Sequence, residues 1–454
     1  MKTADKLEAL GTRPVGRLLW EYSIPAVTGM LVMALYNVVD RIFIGQWLGA
    51  NAISGLAVTF PLMNLATAIG VLVGVGAAAR VSIDLGAGDK PKAETVLGNA
   101  FTLTFLNAAV YIAVFVIFID SFLRAFGASD ATLPYARDYM LTLTPGLLLT
   151  NVAFGFNNIM RSSGYPGRAM MTMLIGAGVN VVLDPIFIKV FGWGIEGAAW
   201  ATDIAMGVSA LFVVWHFMRR DVTLRFRRGT FRLRWRLVWG IVTIGAAPAL
   251  INAAACLINA LINNTLLRYG SDLDIGAAGI MITVTSLLVT TVLGICQGLQ
   301  PIIGYNYGAN KPHRLRKAYF LAMGVASAIT LAGTVAILVF PREIAMAFTN
   351  DEQLLDATER ALTKCILCFP VVGFQIVSSC LFQSLGKAGK SIILSLLRQV
   401  IFLIPLLMFL PRVMELDGVW YSFPISDALA TIVTIFLVVW QLRHIHYKVA
   451  ALKE

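Results

Sequence analysis

Long apolar runs constrain this chain more than any other feature of its sequence. A helix needs about 20 mostly apolar residues to cross a bilayer, and runs of that length recur from end to end. Only 13% of the residues are charged, against about 25% in a soluble domain, so polar groups cannot cover a globular surface. A β-barrel would show alternating segments of about 10 residues instead. We predict an all-α polytopic membrane protein with twelve spans, at residues 19–42, 53–79, 95–119, 139–160, 169–189, 195–218, 237–266, 276–300, 318–340, 361–383, 391–411 and 418–440.

The basic residues predict how these spans are oriented. The net charge is +11, and with an inside N-terminus most Lys and Arg fall in cytoplasmic segments, as the positive-inside rule requires. Many lie in one loop, RRDVTLRFRRGTFRLRWR (219–236), which is suited to contact with anionic lipid. We therefore expect a multi-pass membrane protein with both termini in the cytoplasm, and no nucleic-acid partner.

The sequence repeats itself at a spacing of about 222 residues. MRSSGYPGRAM (160–170) matches FQSLGKAGKSI (382–392), and GAGDKPKA (86–93) is echoed by YGANKPHR (307–314). Each half holds six predicted spans, so the two halves enter the membrane in the same orientation. They are parallel repeats, related by a pseudo-two-fold axis along the membrane normal.

This repeat predicts the domain organisation. We expect a six-helix N-terminal lobe (1–218), a basic cytoplasmic linker (219–236) and a six-helix C-terminal lobe (237–454). Paired bundles with a cavity between them are typical of transporters, because rocking one bundle against the other gives alternating access.

Two motifs with familiar spacing are interpreted as structural. GKAGKS (386–391) ends like a P-loop, but the first glycine of that motif would fall on Ser384, and the segment follows a membrane helix instead of a strand. CILC (365–368) lies inside an apolar run, where cysteines are expected to pack. The sequence holds no H-E-x-x-H or G-x-S-x-G motif. We expect neither an enzyme nor an ATPase subunit nor a cofactor, so transport must draw on an ion gradient.

Polar residues interrupt the fifth predicted span, GVNVVLDPIFI (178–188). A charge at the bilayer centre costs about 2.5–3.5 kcal/mol on insertion scales, so ionisable residues there are functional candidates. Asn180 and Asp184 are four residues apart and share one helix face, while Pro185 frees a carbonyl about one turn earlier. These oxygens suit a desolvated Na⁺ or a transferable proton, and Asp40 in the first span is a second carboxylate at similar depth. The alternative is a hydrogen-bonded pair that only holds helices together.

Several segments together resemble a known transporter family. The two six-span halves, YNVVDRIFIG (36–45), GAGDKPKA (86–93) and NVVLDPIFI (180–188) resemble the MATE family of multidrug and toxic-compound extrusion antiporters, in detail its DinF-like and MepA-like bacterial branch. The resemblance covers essentially the whole chain. It implies a twelve-helix, V-shaped exporter that expels amphipathic, often cationic compounds in exchange for inward-moving Na⁺ or H⁺.

The resemblance also implies site residues. It places the coupling ion in the N-terminal lobe on Asp40, Asn180, Asp184 and Thr202, which would ligate Na⁺ if the transporter is sodium-coupled. It further implies that Pro25 bends the first helix as Asp40 changes charge. At the repeat spacing Asp40 falls near Asn263 and Asp184 on Leu406, so the second half lacks both carboxylates.

Weaker candidates and alternatives stay open at this point. Asn157, Asp203 and Asp427 lie in predicted spans and are candidates for a substrate cavity, although helix packing explains them too. Lys364 and Arg398 are candidates to balance a substrate or carboxylate charge, but the sequence does not settle their roles or those of Arg41 and Asp427. It also identifies no particular substrate and makes no choice between Na⁺ and H⁺. The alternative function is a lipid-linked oligosaccharide flippase of the same superfamily. We expect a monomer in the lipid bilayer.

Overall fold

The computed structural model describes residues 3–48, 50–126, 128, 130 and 132–450. In these ranges the chain forms helices and turns and no strand. The helices are α1 (Thr3–Thr12), α2 (Val15–Leu48), α3 (Ala50–Gly86), α4 (Lys90–Ala125), α5 (Leu133–Ser162), α6 (Pro166–Pro185), α7 (Gly194–Met218), α8 (Trp235–Tyr269), α9 (Asp272–Gly308), α10 (Pro312–Val339), α11 (Pro341–Met346), α12 (Glu352–Cys365), α13 (Val372–Ser384), α14 (Ala388–Leu396), α15 (Ile404–Phe409) and α16 (Pro411–Ala450).

Twelve membrane spans account for most of these helices. Eleven stretches of the described chain are long and apolar enough to cross a membrane, and the bent pair formed by α12 and α13 makes a twelfth. Six spans precede the segment between α7 and α8, and six follow it. The predicted all-α, twelve-span membrane fold is therefore confirmed.

The repeated motifs form the turns between successive spans. Gly88 lies between α3 and α4 with φ of 80°, and Asn310 takes the corresponding place between α9 and α10 with φ of 55°. Gly164 and Gly386 occupy the second pair of turns with φ of 98° and 70°. A glycine tolerates this left-handed backbone without steric cost. The GKAGKS segment is thus a tight turn that opens α14, as predicted, and not a P-loop after a strand.

The tenth span is broken, which corrects the prediction of one continuous span over 361–383. Helix α12 ends at Cys365, a 3-10 turn follows at Phe369–Val371, and the axes on either side differ by 56°. Pro370 explains the break, because proline lacks a backbone N–H and disfavours helical backbone in the residue before it. The CILC segment therefore lies at a break and not within a continuous apolar helix.

Two spans contain a wider π-helical stretch. Helix α6 ends at Pro185 and continues as a π-helix over Ile186–Val190, and a second π-helix, Leu397–Leu403, joins α14 to α15. Such stretches occur often at functional sites. Helix α2, in contrast, runs continuously through Pro25, so ion-dependent bending at Pro25 stays a prediction.

The two halves of the chain pack together at one end, here called the linker end because it carries residues 219–235 between α7 and α8. Helix α2 packs on α9, and α3 packs on α8 and α9. Glycines permit very close backbone contact there: a Cβ built on Gly245 would lie 1.7 Å from the Leu72 carbonyl oxygen, and one on Gly86 would lie 2.0 Å from the Tyr305 oxygen. Helix–helix packing in membranes favours such small residues.

Candidate cation site

Four helical positions in the N-terminal half meet near the end of α6. Asn180 and Asp184 lie one turn apart on α6 and are fully buried, and Asp40 on α2 is 8% exposed. The Asn180 side-chain amide donates to Asp184 Oδ1 at 3.4 Å and to Thr202 Oγ1 on α7 at 3.2 Å. The Asp40 carboxyl group lies close enough to that of Asp184 for the two charges to interact. The structure thus brings together all four residues that the resemblance selected.

Two buried oxygen atoms without hydrogen-bond partners make this cluster a candidate cation site. Asn180 Oδ1 and Asp184 Oδ2 are buried and accept no hydrogen bond from any described residue. A buried acceptor left unsatisfied costs about 1–3 kcal/mol, and two carboxyl groups in contact repel when both are charged. A bound Na⁺ or a shared proton removes both penalties. Carboxylate, amide and hydroxyl oxygens are also the ligands that hard cations prefer.

The cluster does not fit a divalent metal cage. Within the part of the chain that the structure describes, no group of three or more His, Cys, Asp and Glu side chains is arranged to hold a metal ion.

Two tyrosines belong to the cluster, although the sequence analysis did not select them. Tyr36 is within electrostatic range of Asp40 and Asp184, and the buried Tyr139 on α5 is within electrostatic range of Asp40, Asp184 and Asp203. The spacing of four residues between Tyr36 and Asp40 places both on one face of α2, so this pattern was available in the sequence. Tyr139 approaches only through the packing of α5, which no local spacing reveals.

Asp203 extends the acidic cluster towards α5. It is 5% exposed, and its Oδ1 would lie 1.7 Å from a Cβ built on Gly146. The absence of a side chain at Gly146 therefore makes room for the Asp203 carboxyl group. Asp203 is thus buried next to Thr202 of the cation site, and its role in a substrate cavity stays a prediction.

A small cavity adjoins the cluster on its linker side. It has a volume of about 10 Å³, room for about one water molecule, and lies between α2, α5, α6 and α7. Gly176, one turn before Asn180, lines it, as do three methionines, Met33, Met173 and Met206. Methionine side chains are flexible and polarisable, so such a wall adapts to differently shaped apolar groups.

Asn157 lines this cavity, but its polar atoms are engaged by neighbours. Its amide donates to the Ala169 carbonyl at 2.5 Å, and its oxygen accepts from Arg161 Nη2 at 2.7 Å. Arg161 is 1% exposed and also donates to Gln297 Oε1 on α9 at 2.6 Å. A buried arginine thus links the two halves near the linker end, a contact that the sequence analysis did not predict.

The remaining intramembrane carboxyl group lies in the other half. Asp427 on α16 is 2% exposed and forms an ion pair with Arg398, whose Nε lies 2.6 Å from Asp427 Oδ1. Gln375 donates to the Asp427 carbonyl and to Thr431 Oγ1, each at 2.6 Å. Lys364 pairs separately with Asp417 Oδ1 at 2.5 Å. The side chain of Arg41 lies outside the described residues.

Twelve spans in two packed halves, with a buried acidic cluster at the centre of one half, define a polytopic membrane transporter. The family model MatE matches residues 25–186 and again 248–409, and the chain belongs to this family. The double match of one family model independently confirms the internal repeat, and the membership confirms the resemblance to MATE proteins. Because members of this family are transporters, membership also fits the expectation that the chain is not an enzyme.

Relatives and solved structures of similar sequence cover nearly the whole chain. The FAD transporter of Shewanella oneidensis is 27% identical over 93% of this chain and 94% of its own length. Multidrug export protein MepA of Staphylococcus aureus is 26% identical over 95% of this chain and 94% of its own length. A crystal structure of MATE in the bent conformation is 26% identical, with a TM-score of 0.92 over 98% of this chain and 99% of that one. An outward-facing multidrug resistance MATE family transporter, also 26% identical, gives 0.91 over 97% and 98%.

Proposed function

We propose that this chain is a secondary active multidrug exporter that expels amphipathic, often cationic compounds in exchange for inward-moving Na⁺ or H⁺. Family membership supports transport, and the similarity to a multidrug export protein supports export of drug-like compounds. The observation that carries ion coupling is the buried contact between Asp40 and Asp184, completed by Asn180 and Thr202. Only a cation or a proton relieves the repulsion in such a pair.

Helix α2 joins this cation site to the contact between the halves. Asp40 lies near one end of α2, while Ser23 and Val27 lie near the other and pack against Gly298 and Gly294 of α9. Binding or release of a cation at Asp40 changes the charge balance at one end of a helix whose other end forms the closed linker end. The coupling mechanism is therefore a shift of α2 that opens or closes this contact, with Pro25 as the point of bending.

The substrate binds in the cavity between the halves and places apolar groups against adaptable side chains. Met33, Met173 and Met206 offer such side chains at a small cavity inside the N-terminal half, beside the cation site. Because the small cavity adjoins Asn180, a substrate group that packs against it contacts the same helices that hold the coupling ion. Occupancy of one then affects the packing around the other, as an antiporter requires.

The surroundings of the transporter follow from the charge distribution. The protein spans a bacterial inner membrane. Its linker and both termini lie on the cytoplasmic side, where the positive-inside rule places basic loops. The protein works as a monomer without an ATPase subunit. One positive charge moving inward through 100 mV releases about 2.3 kcal/mol, which sustains a substantial substrate gradient when the ion concentration gradient adds to it.

Reconstitution into proteoliposomes tests this function. Efflux of the fluorescent cation ethidium is measured under an imposed Na⁺ gradient, then under an imposed pH gradient, and finally with ATP but no gradient. We expect efflux with at least one ion gradient, none with ATP alone, and none with either gradient for Asp184→Asn. Ethidium efflux that needs ATP, or that continues after both gradients collapse, would refute antiport.

A further inference from the structure

The ion pair in the C-terminal half lies deep in the membrane region. Arg398 is ten residues past the start of α14 at Ala388, which places it about 15 Å along the helix at 1.5 Å per residue. A bilayer core is about 30 Å thick, so the guanidinium group is near its middle. Arginine at this depth is costly and normally faces a partner or a water-filled space.

The pair leaves one end of the arginine available. Asp427 Oδ1 lies 2.6 Å from Nε of Arg398, so the carboxylate contacts the guanidinium group at its inner nitrogen. The Asp427 side chain is 3% exposed and the Arg398 side chain 24%. The carboxylate is thus the buried member of the pair, while part of the guanidinium-bearing side chain is accessible and presents the terminal nitrogens as a fork for a further partner. Such a fork matches the paired oxygens of a phosphate or carboxylate group.

The internal repeat builds the corresponding part of the N-terminal half without this pair. At the spacing of 222 residues, Arg398 corresponds to Gly176 and Gln375 to Ala153, and both of these N-terminal residues line the methionine-rich cavity. Asp427 likewise corresponds to Ala205. The N-terminal half thus keeps an apolar cavity where the C-terminal half has charged and polar side chains. Because a buried ion pair seldom stabilises a protein more than apolar packing does, a binding role accounts for it better than a structural one.

We propose that Arg398, held by Asp427, forms a subsite that binds a phosphate or carboxylate group of an anionic substrate. The inference rests on the proposed export function and widens its substrate class beyond cations. The π-helical stretch Leu397–Leu403 carries Arg398, and its neighbours α8 and α16 complete the subsite. The two halves then have separate tasks, with ion coupling in the first and recognition of anionic groups in the second.

Equilibrium binding to the purified protein in detergent tests the subsite without any ion gradient. The anionic probe is FAD, followed by fluorescence anisotropy, and the cationic probe is ethidium. The test variant combines Arg398→Gln with Asp427→Asn, which removes both charges, keeps the shapes and avoids a lone buried carboxylate. The control, Lys364→Gln, removes one positive charge from the same half at a partly exposed pair.

We expect the double variant to bind FAD at least about tenfold more weakly, because it loses a charge-assisted contact. Its affinity for ethidium should stay within about twofold of that of the unaltered protein. Lys364→Gln should leave both affinities unchanged. The subsite would be overturned if the double variant bound FAD as tightly as the unaltered protein, or if it lost affinity for FAD and ethidium equally. It would also be overturned if Lys364→Gln weakened FAD binding to the same extent, or if the unaltered protein did not bind FAD. Because this experiment measures binding and not transport, the subsite and the proposed antiport can fail independently of each other.

Discussion

At the scale of single residues, the cation site shows what side-chain spacing can and cannot reveal. Asn180 and Asp184 were predictable because a spacing of four residues places both on one helix face. Asp40 and Thr202 came from the family resemblance, since nothing in their own sequence neighbourhood shows that they approach α6. Tyr139 and Arg161 escaped prediction because their partners lie on other helices.

Asn180 gives the first prediction at this scale. Its amide joins Asp184 to Thr202, so Asn180→Ala removes both contacts and one oxygen atom from the site. We expect the ion concentration for half-maximal efflux to rise about tenfold, equivalent to about 1.4 kcal/mol, with little change at saturating ion. Ethidium efflux from proteoliposomes at graded ion concentrations measures this value.

The matched control is Asn107→Ala, which removes an asparagine from α4, a helix of the same half that carries no residue of the cation site. It should leave the ion dependence unchanged. An equal rise for both variants, or no rise for Asn180→Ala, would argue against a ligand role for Asn180.

At the scale of helices, the sequence predicted the number of spans better than their irregularities. The apolar runs revealed twelve spans because burial in lipid demands long apolar stretches. The break after Cys365 was missed because the run around it stays apolar while Pro370 interrupts the backbone hydrogen bonding. The two π-helical stretches were missed too, because no residue type marks an inserted residue. Pro185, where the first of them begins, was nevertheless noted as a point of loosened helix.

A pair of glycines on α8 tests how tightly the halves close. Gly245→Ala would place a Cβ 1.7 Å from the Leu72 carbonyl oxygen, and such overpacking costs about 1–3 kcal/mol. We expect a lower thermal unfolding midpoint and loss of most ion-driven efflux, because the linker end can no longer close. Gly240→Ala on the same helix has nothing within 4 Å of its added carbon and should behave like the unaltered protein. Equal behaviour of the two variants would show that this close contact is not needed.

At the scale of the whole molecule, the repeat explains the architecture and its asymmetry. Two halves with the same turns and the same span order were visible in the sequence, and one family model matches both. What the sequence did not show is how the halves meet, since the interface depends on glycines and carbonyls whose approach is tertiary. The halves differ in their charged groups: the first carries paired carboxyl groups and the second an arginine–aspartate pair.

The topology prediction belongs to this scale. Single cysteines introduced as Ala4→Cys, Arg228→Cys and Ala450→Cys in a cysteine-free variant should resist an impermeant thiol reagent in intact cells and react after lysis. The reason is that the positive-inside rule places both termini and the linker in the cytoplasm. Ready labelling of residue 228 in intact cells would reverse the assigned orientation.

The most direct test of ion coupling in the first half compares four variants in inverted membrane vesicles at matched expression. Ion-driven uptake of a fluorescent cation is measured for Asp40→Asn, Asp184→Asn, Asp427→Asn and Asn263→Ala. Asn263 lies close to the position in the second half that corresponds to Asp40 in the repeat. We expect Asp184→Asn to abolish coupled uptake and Asp40→Asn to do nearly the same. Asp427→Asn should keep its ion dependence while changing substrate preference, and Asn263→Ala should stay coupled. Loss of ion dependence in Asp427→Asn with coupling retained in Asp184→Asn would contradict this account.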